Sequence, residues 1–166
     1  MNPTPIPQVE IYTDGSCLNN PGAGGYGVVL LYGNQRQELS GGFKYTTNNR
    51  MEILAVIMAL KALKEKSEVK IYTDSQYVVN AITKGWAKKW QRNGWRRNSK
   101  EKAKNPDLWA DLLSLCEGHK IHFVWVRGHS GNVENERCDR LAFTAAQGNN
   151  LADDENFVSH LHSCHS

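Results

Sequence analysis

Three carboxylates stand in unusually defined settings. Asp14 lies in Tyr12-Thr13-Asp14-Gly15-Ser16, Glu52 follows Thr46-Thr47-Asn48-Asn49-Arg50-Met51, and Asp74 lies in Tyr72-Thr73-Asp74-Ser75-Gln76. Two of them close β-like runs and the third falls in the first turns of an expected helix, so ordinary chain geometry can bring all three to one spot. A set of acids with no nitrogen or sulfur among them suits hard divalent cations, and cations held this way can activate water and compensate charge. Without a cation the acids would repel one another and raise their own pKa values.

The elements that must position them follow from pattern. Residues 9–13 alternate as a strand and run into the turn-rich Asn19-Asn20-Pro21-Gly22-Ala23-Gly24-Gly25. Residues 26–32 and 35–43 read as two more strands joined at Gly33-Asn34, which predicts a three-stranded antiparallel meander. A helix is expected from a cap at Thr47 or Asn48 to about residue 66, with Met51, Leu54, Ile57 and Leu60 near helical spacing. A short strand at 69–73 should then run parallel to the first through a right-handed crossover. Asp14 and Asp74 would end neighbouring strands at their carboxyl edge, where open α/β sheets place their ligands.

Further helices are expected at 75–83, 86–92 and 106–117. The last of these begins at Asn105-Pro106-Asp107, read as cap, first-turn proline and dipole-facing acid. A fifth strand at 120–126, a loop around Gly128-His129-Ser130-Gly131 and a final helix at 133–147 carrying Asp139 complete the plan. The fold class is therefore α/β, with a five-stranded mixed sheet (three antiparallel strands, then two parallel) flanked by helices. Residues 149–166, polar and rich in Asn, His and Ser, are expected to form a flexible tail.

A chain of 166 residues is one domain's worth of core. No apolar run approaches bilayer length, and the N-terminus lacks the regions of a signal peptide, so the expectation is a cytoplasmic protein with no membrane partner. Cys17, Cys116, Cys138 and Cys164 show no paired spacing and read as reduced thiols. Residues 84–104 hold nine Lys or Arg against the single acid Glu101, and this segment supplies the whole positive balance of a chain whose net charge is +3. A basic stretch interleaved with Trp86, Trp90 and Trp95 has the composition of a phosphate-neutralising surface with aromatic contacts to sugars.

The order of elements and six ordered motifs resemble a bacterial type 1 ribonuclease H over roughly residues 8–147. The motifs are Thr13-Asp14-Gly15-Ser16-Cys17, Asn20-Pro21-Gly22, Thr46 through Glu52, Thr73-Asp74-Ser75-Gln76, Asn105-Pro106-Asp107-Leu108-Trp109, and Gly128-His129-Ser130-Gly131 through Glu134-Asn135-Glu136-Arg137-Cys138-Asp139. The resemblance implies a catalytic domain at 1–148, with a basic handle at about 84–104. It implies endonucleolytic hydrolysis of the RNA strand of RNA–DNA hybrids by a two-metal-ion mechanism, leaving 5′-phosphate and 3′-hydroxyl ends. Mg²⁺ is the implied cofactor, two ions during catalysis, with Mn²⁺ as a substitute.

Carried over residue by residue, the resemblance makes Asp14, Glu52, Asp74 and Asp139 the metal-binding carboxylates. His129 matches the family's loop histidine, and its near-neutral intrinsic pKa suits proton transfer. Asn20, Asn48, Asn49 and Gln76 are implied minor-groove contacts, since amides donate and accept without a base code. Thr47 and Asn105 resemble the pocket for a DNA phosphate. Cys17 would line the RNA side through its backbone, and Trp86, Lys88 and Lys89 would meet the DNA strand, with Trp90 and Trp95 structural. The implied partner is the hybrid alone, with no obligate protein partner and a monomeric state.

Each residue also has a plainer reading. Asp14 and Asp74 suit turns, Glu52 suits a helix start, Asp139 can pair with Arg137 or Arg140, and the handle can be a solvated helix. His160, His162, Cys164 and His165 could bind a soft metal, but a polar tail explains them more simply. The loop at Leu18-Asn19-Asn20-Pro21-Gly22-Ala23 departs from the family's usual glycine-rich form while keeping Asn20 and Pro21, and compared with some relatives Gly85 looks like an extra residue before the handle. A hybrid-binding module without catalysis has no use for four acids beside a polyanion, and a recombinase would need a second DNA-binding domain.

Overall fold

A computed structural model describes residues 5–163, with side chains described from 5 to 159. Five strands, β1 (Gln8–Cys17), β2 (Gly22–Tyr32), β3 (Gln35–Thr46), β4 (Glu68–Thr73) and β5 (Lys120–Trp125), form one sheet in the order β3-β2-β1-β4-β5. β1 to β3 pair antiparallel, and β1–β4 and β4–β5 pair parallel, as the sequence pattern predicts. The helices are α1 (Asn48–Lys61), α2 (Gln76–Thr83), α3 (Trp86–Arg92), α4 (Pro106–Glu117), α5 (Val133–Ala146) and α6 (Glu155–Ser163).

Side chains on a strand alternate between faces, and this alternation sorts the helices into two layers. Gly15 faces α1, against the backbone of Met51 and Glu52. Gly27, cross-strand partner of Asp14, faces α5 against the Cys138 carbonyl. The core lies between the sheet and α1, where Val9, Ile11, Val69 and Ile71 meet Ile53, Val56, Ile57 and Leu60. α4 covers the far side of α1 with Leu108, Trp109 and Leu112, so α1 is buried nearly all round.

Four expectations need correction. β1 runs on to Cys17 because it stays paired with β2, whereas its ladder with β4 stops at Tyr12↔Tyr72, so Asp14 lies within a strand but just past the parallel ladder. α1 ends at Lys61 although Lys64-Glu65-Lys66 favour helix. Here the chain reverses to enter β4, with buried Ser67 bonded to the Glu65 carbonyl and to His119 Nδ1, and tertiary contacts override propensity. Asn105 stands at the N-cap of α4, its carbonyl accepting from Trp109 N at 3.0 Å, but its side chain makes no capping bond; the backbone is left-handed (φ 60°) and the side-chain amide bonds Arg50 and Tyr77 instead. The segment expected to fray from residue 149 instead pairs with the edge of β3 and continues into α6. The side chains of His160, His162, Cys164 and His165 lie outside the described residues. Among the described residues, no helix is long and apolar enough to cross a membrane.

Candidate active site

Asp14 and Asp74 each stand two residues beyond the last rung of the β1–β4 ladder, Tyr12↔Tyr72, and so share a face. One pleat back on that face the Tyr12 and Tyr72 rings stack with centroids 4.6 Å apart. Glu52 arrives from the opposite layer. Thr47 caps α1 by accepting from Arg50 N (3.2 Å), and the first turns press so close to β1 that a Cβ on Gly15 would lie 2.5 Å from Glu52 N. No residue but glycine permits that approach, and it lets a helix residue join two strand residues.

One carboxylate oxygen from each of Asp14, Glu52 and Asp74 lies within 4.8 Å of the others. Asp14 and Glu52 are only 4% and 5% exposed, and Asp74 is half-buried. Asp14 Oδ1 accepts from Gly15 N at 2.9 Å, and Trp125 Nε1 donates to the Asp74 carbonyl at 3.0 Å. Burial, then the charges of Asp74 and Asp139, push Asp14 up to about 8. Burial followed by the charges of Asp14 and Asp74 holds Glu52 well above the usual carboxylate range, and burial with the Asp139 charge raises Asp74.

Glu52 Oε2 is buried with no hydrogen-bond partner. An acceptor in that state is costly unless something cationic completes it. Oxygen-only donors, mutual repulsion and an orphaned buried oxygen together fit a divalent cation.

Asp139 stands outside the tight trio, half-buried on α5, near enough that its charge raises both Asp14 and Asp74. α5 is held down on the sheet through Gly27 and tied to β3 by an ion network. In that network Arg137 Nε bonds Glu38 Oε2 at 2.7 Å, and Arg36 bridges Glu38 and Glu134. The bonds from Arg137 hold the Glu38 carboxyl down to about 2, against the opposing effect of burial. Exposed His129 adopts φ 55° in the loop before α5, and the neighbouring Gly128 packs on Asp74 Oδ2.

Around this centre Asn20 Oδ1 accepts from Asn48 N at 3.2 Å, joining the loop after β1 to the start of α1. Cys17 Sγ lies 2.7 Å from the Asn19 carbonyl and 3.6 Å from that of Thr46. Asn49 and Gln76 are exposed beside the acids, and Thr47 and Asn48 half-exposed. Lys88 and Lys89 are exposed on α3 and Trp86 is 40% exposed, with Lys84 Nζ 5.3 Å from its ring centre. Trp90 and Trp95 turn inward; Trp90 meets buried Trp109 edge-on at 6.2 Å. Sequence reading missed Arg50, whose buried guanidinium joins α1, α4 and the C-terminal segment. Its signal was an arginine on a helix buried all round, beside a cap and two residues from a site acid.

A β3-β2-β1-β4-β5 sheet with acids delivered from β1, α1 and the end of β4 is the ribonuclease H fold. The RNase H family model matches residues 7–147, and the chain belongs to that family, among its bacterial type 1 members. It is a hydrolase, an endoribonuclease of the kind that cleaves the RNA strand of RNA–DNA hybrids. It is 63% identical over 155 residues to the ribonuclease H of Rippkaea orientalis, covering 93% of this chain and 94% of the relative. It is 62% identical to the ribonuclease HI of Synechocystis over 150 residues, covering 90% and 94%. Among solved structures it resembles LC9-RNase H1, a type 1 RNase H with the type 2 active-site motif (TM-score 0.79, 35% identity, 89% of this chain and 75% of that one). It also resembles LC11-RNase H1 in complex with an RNA/DNA hybrid (TM-score 0.63, 26% identity, 84% and 96%).

Proposed function

We propose that this chain, as a monomer, hydrolyses the RNA strand of RNA–DNA hybrids endonucleolytically by a two-metal-ion mechanism, leaving 5′-phosphate and 3′-hydroxyl ends. The observation that carries the reading is the buried trio Asp14, Glu52 and Asp74 with Glu52 Oε2 unpartnered. These acids, with Asp139 at the rim, would hold two Mg²⁺ ions, or Mn²⁺ in their place, which when bound supply a nucleophilic water and charge compensation for the departing 3′-oxygen. Asp14 is fixed by the Gly15 amide and Asp74 is held by its place after β4, so both present oxygens without reorganising. Glu52 closes the site from the helix layer and excludes water from its buried side.

His129, exposed on its loop near Asp74, takes or delivers the proton at the attacking water or the leaving oxygen. His129→Ala is therefore expected to lower kcat by about 100-fold without abolishing cleavage, since a positioned acid–base group contributes at least that much while the charged centre stays in place. Single-turnover rates of the variant beside wild type check this, and an unchanged rate would remove His129 from the mechanism.

Support for the substrate comes from the surroundings. Asn20, Asn48, Asn49 and Gln76 surround the acids with amides that can read 2′-hydroxyls and minor-groove acceptors in any sequence. Cys17 lines the RNA side through its backbone, and Thr47 and Asn105 take a DNA phosphate. Lys88, Lys89 and Trp86 follow the DNA strand, so affinity should fall steeply with salt. The deciding experiment offers a strand-labelled hybrid, matched RNA and DNA duplexes and single strands, with Mg²⁺ or chelator. Metal-dependent cutting confined to the RNA of the hybrid is expected, with end-group analysis giving 5′-phosphates. Binding without cutting would leave a binding module, and cut DNA would move the chain toward recombinase chemistry.

A further inference from the structure

The stretch that follows the family match is fastened to the molecule by several independent contacts. Ala152 N donates to the Gly42 carbonyl (2.9 Å) and its carbonyl accepts from Lys44 N (2.8 Å), extending the β3 edge. Asp154 then turns inward, where Oδ2 accepts from Thr46 Oγ1 (2.7 Å) and Arg50 Nε (2.7 Å), and Oδ1 from Arg50 Nη2 (3.0 Å). On α6, Phe157 stacks against Tyr45 at 5.7 Å and lies 5.8 Å from the Arg50 guanidinium.

Arg50 is 3% exposed, and all of its guanidinium N–H groups are engaged. The remaining bonds go to Asp107, at 3.0 and 2.6 Å, and from Nη1 to Asn105 Oδ1 at 3.3 Å. Asn105 in turn donates from Nδ2 to the Tyr77 hydroxyl at 3.3 Å. Its backbone has φ 60°, a left-handed conformation that asparagine tolerates better than most residues. The backbone N–H of Arg50 is the donor to Thr47 Oγ1. Arg50 therefore holds both groups, the Thr47 hydroxyl at the cap of α1 through its backbone N–H and the Asn105 amide before α4 through its guanidinium.

We propose that Asp154 and Phe157 are positioning residues for the DNA strand: they lock Arg50, and Arg50 fixes Thr47 and Asn105, the two groups that take a DNA phosphate. The proposal rests on the reading above that Thr47 and Asn105 meet a DNA phosphate. Asp154 is suited to the task because its two oxygens match the parallel Nε and Nη2 N–H groups of one guanidinium edge. Asn in its place offers one acceptor and turns an N–H toward the cation, which leaves a buried guanidinium hydrogen unpaired. The guanidinium then shifts, and the weak 3.3 Å bond to Asn105 is the first to yield.

The test uses the full chain and its Asp154→Asn and Phe157→Ala variants, each shown folded by circular dichroism at the assay temperature. Hybrid affinity is measured in chelator, where nothing is cut. Asp154→Asn is expected to weaken binding by about 5- to 20-fold, with a matching rise in KM and less than a twofold change in kcat, and Phe157→Ala to do the same more mildly. Hybrids carrying one neutral methylphosphonate walked along the DNA strand locate the effect. Wild type should lose affinity at one position, and Asp154→Asn should lose almost nothing further there, because the two changes remove one interaction. Full sensitivity of the variant at that position, or wild-type affinity in both variants, would overturn the proposal. Wild-type insensitivity at every position would instead bring down the phosphate reading of Thr47 and Asn105, and the proposal with it.

Discussion

Asp14→Asn is expected to lower Mg²⁺-dependent cleavage of a hybrid by about 10³-fold or more, while making the metal-free protein more stable. The two effects have one cause. Asp14 supplies a central oxygen of the trio, and a metal-held site lowers the barrier by several kcal/mol, where each 1.4 kcal/mol is tenfold. Amide oxygen keeps the shape but carries no charge, so cation affinity falls. Without metal the same carboxylate is a liability, since burial and its acidic neighbours raise its pKa from 3.8 to about 8. A group whose folded pKa is raised contributes stability that is fully present below its unfolded pKa and is lost as the pH climbs through the folded value. In chelator, wild-type Tm should therefore fall as pH rises from about 4 to 8. Asp14→Asn should fall less steeply, the residual slope belonging to Glu52 and Asp74. Adding Mg²⁺ should reverse the order, stabilising wild type by mass action and the variant little. Thermal melts at pH 5 and pH 8, with chelator and with Mg²⁺, check the sign. Equal slopes for the two proteins would mean that Asp14 does not share the buried charge.

What could be read in the sequence divides along physical lines. Local signals were reliable: Thr47, one of the two expected caps, caps α1, the basic helix spans Trp86–Arg92, and α4 spans Pro106–Glu117 as its proline and acid suggest. Asp14, Glu52 and Asp74 were legible because strand ends and a helix start are local features, and the crossover rule made the strands neighbours. Long-range pairing left weaker traces. Asn105 looks like a cap because Asn before Pro usually is one, yet Arg50, 55 residues away, claims its oxygen. Residues 149–163 look like tail because their composition is polar. Their acids Asp153, Asp154 and Glu155 followed by Phe157 and Val158 nevertheless make a serviceable helix start, and Arg50 rewards it with a buried partner. Glycines were the other blind spot. Gly24 and Gly25 read as turn residues but lie inside β2, and the strand expected at 26–32 gave no sign that Gly27 lies directly beneath α5.

That blind spot sets the second large effect, because Gly27→Ala is expected to destabilise the protein by about 2–4 kcal/mol and to slow cleavage by 10-fold or more. A Cβ at this position would lie 2.2 Å from the Cys138 carbonyl, 2.8 Å from Leu141 Cβ and 3.0 Å from Ala142 N. Two of these atoms are backbone, so the clash cannot be relieved by turning a side chain, and α5 must lift from β2. Cys138 Sγ, which bonds the Tyr12 carbonyl at 3.2 Å, would be pulled away, and Asp139 is the next residue along. The loss of activity should therefore exceed what unfolding explains. At a temperature where the variant is fully folded, half-saturating Mg²⁺ should rise along with the fall in kcat, because the rim carboxylate has withdrawn from Asp14 and Asp74. Gly33→Ala provides the contrast: its turn has φ 57° but nothing within 4 Å of a new Cβ, so it should cost about 1 kcal/mol in urea melts and leave Mg²⁺ dependence unchanged. A Gly27→Ala protein that is destabilised yet keeps wild-type Mg²⁺ dependence would show that α5 can ride higher on the sheet without moving the site, and that Asp139 reaches it by its own flexibility.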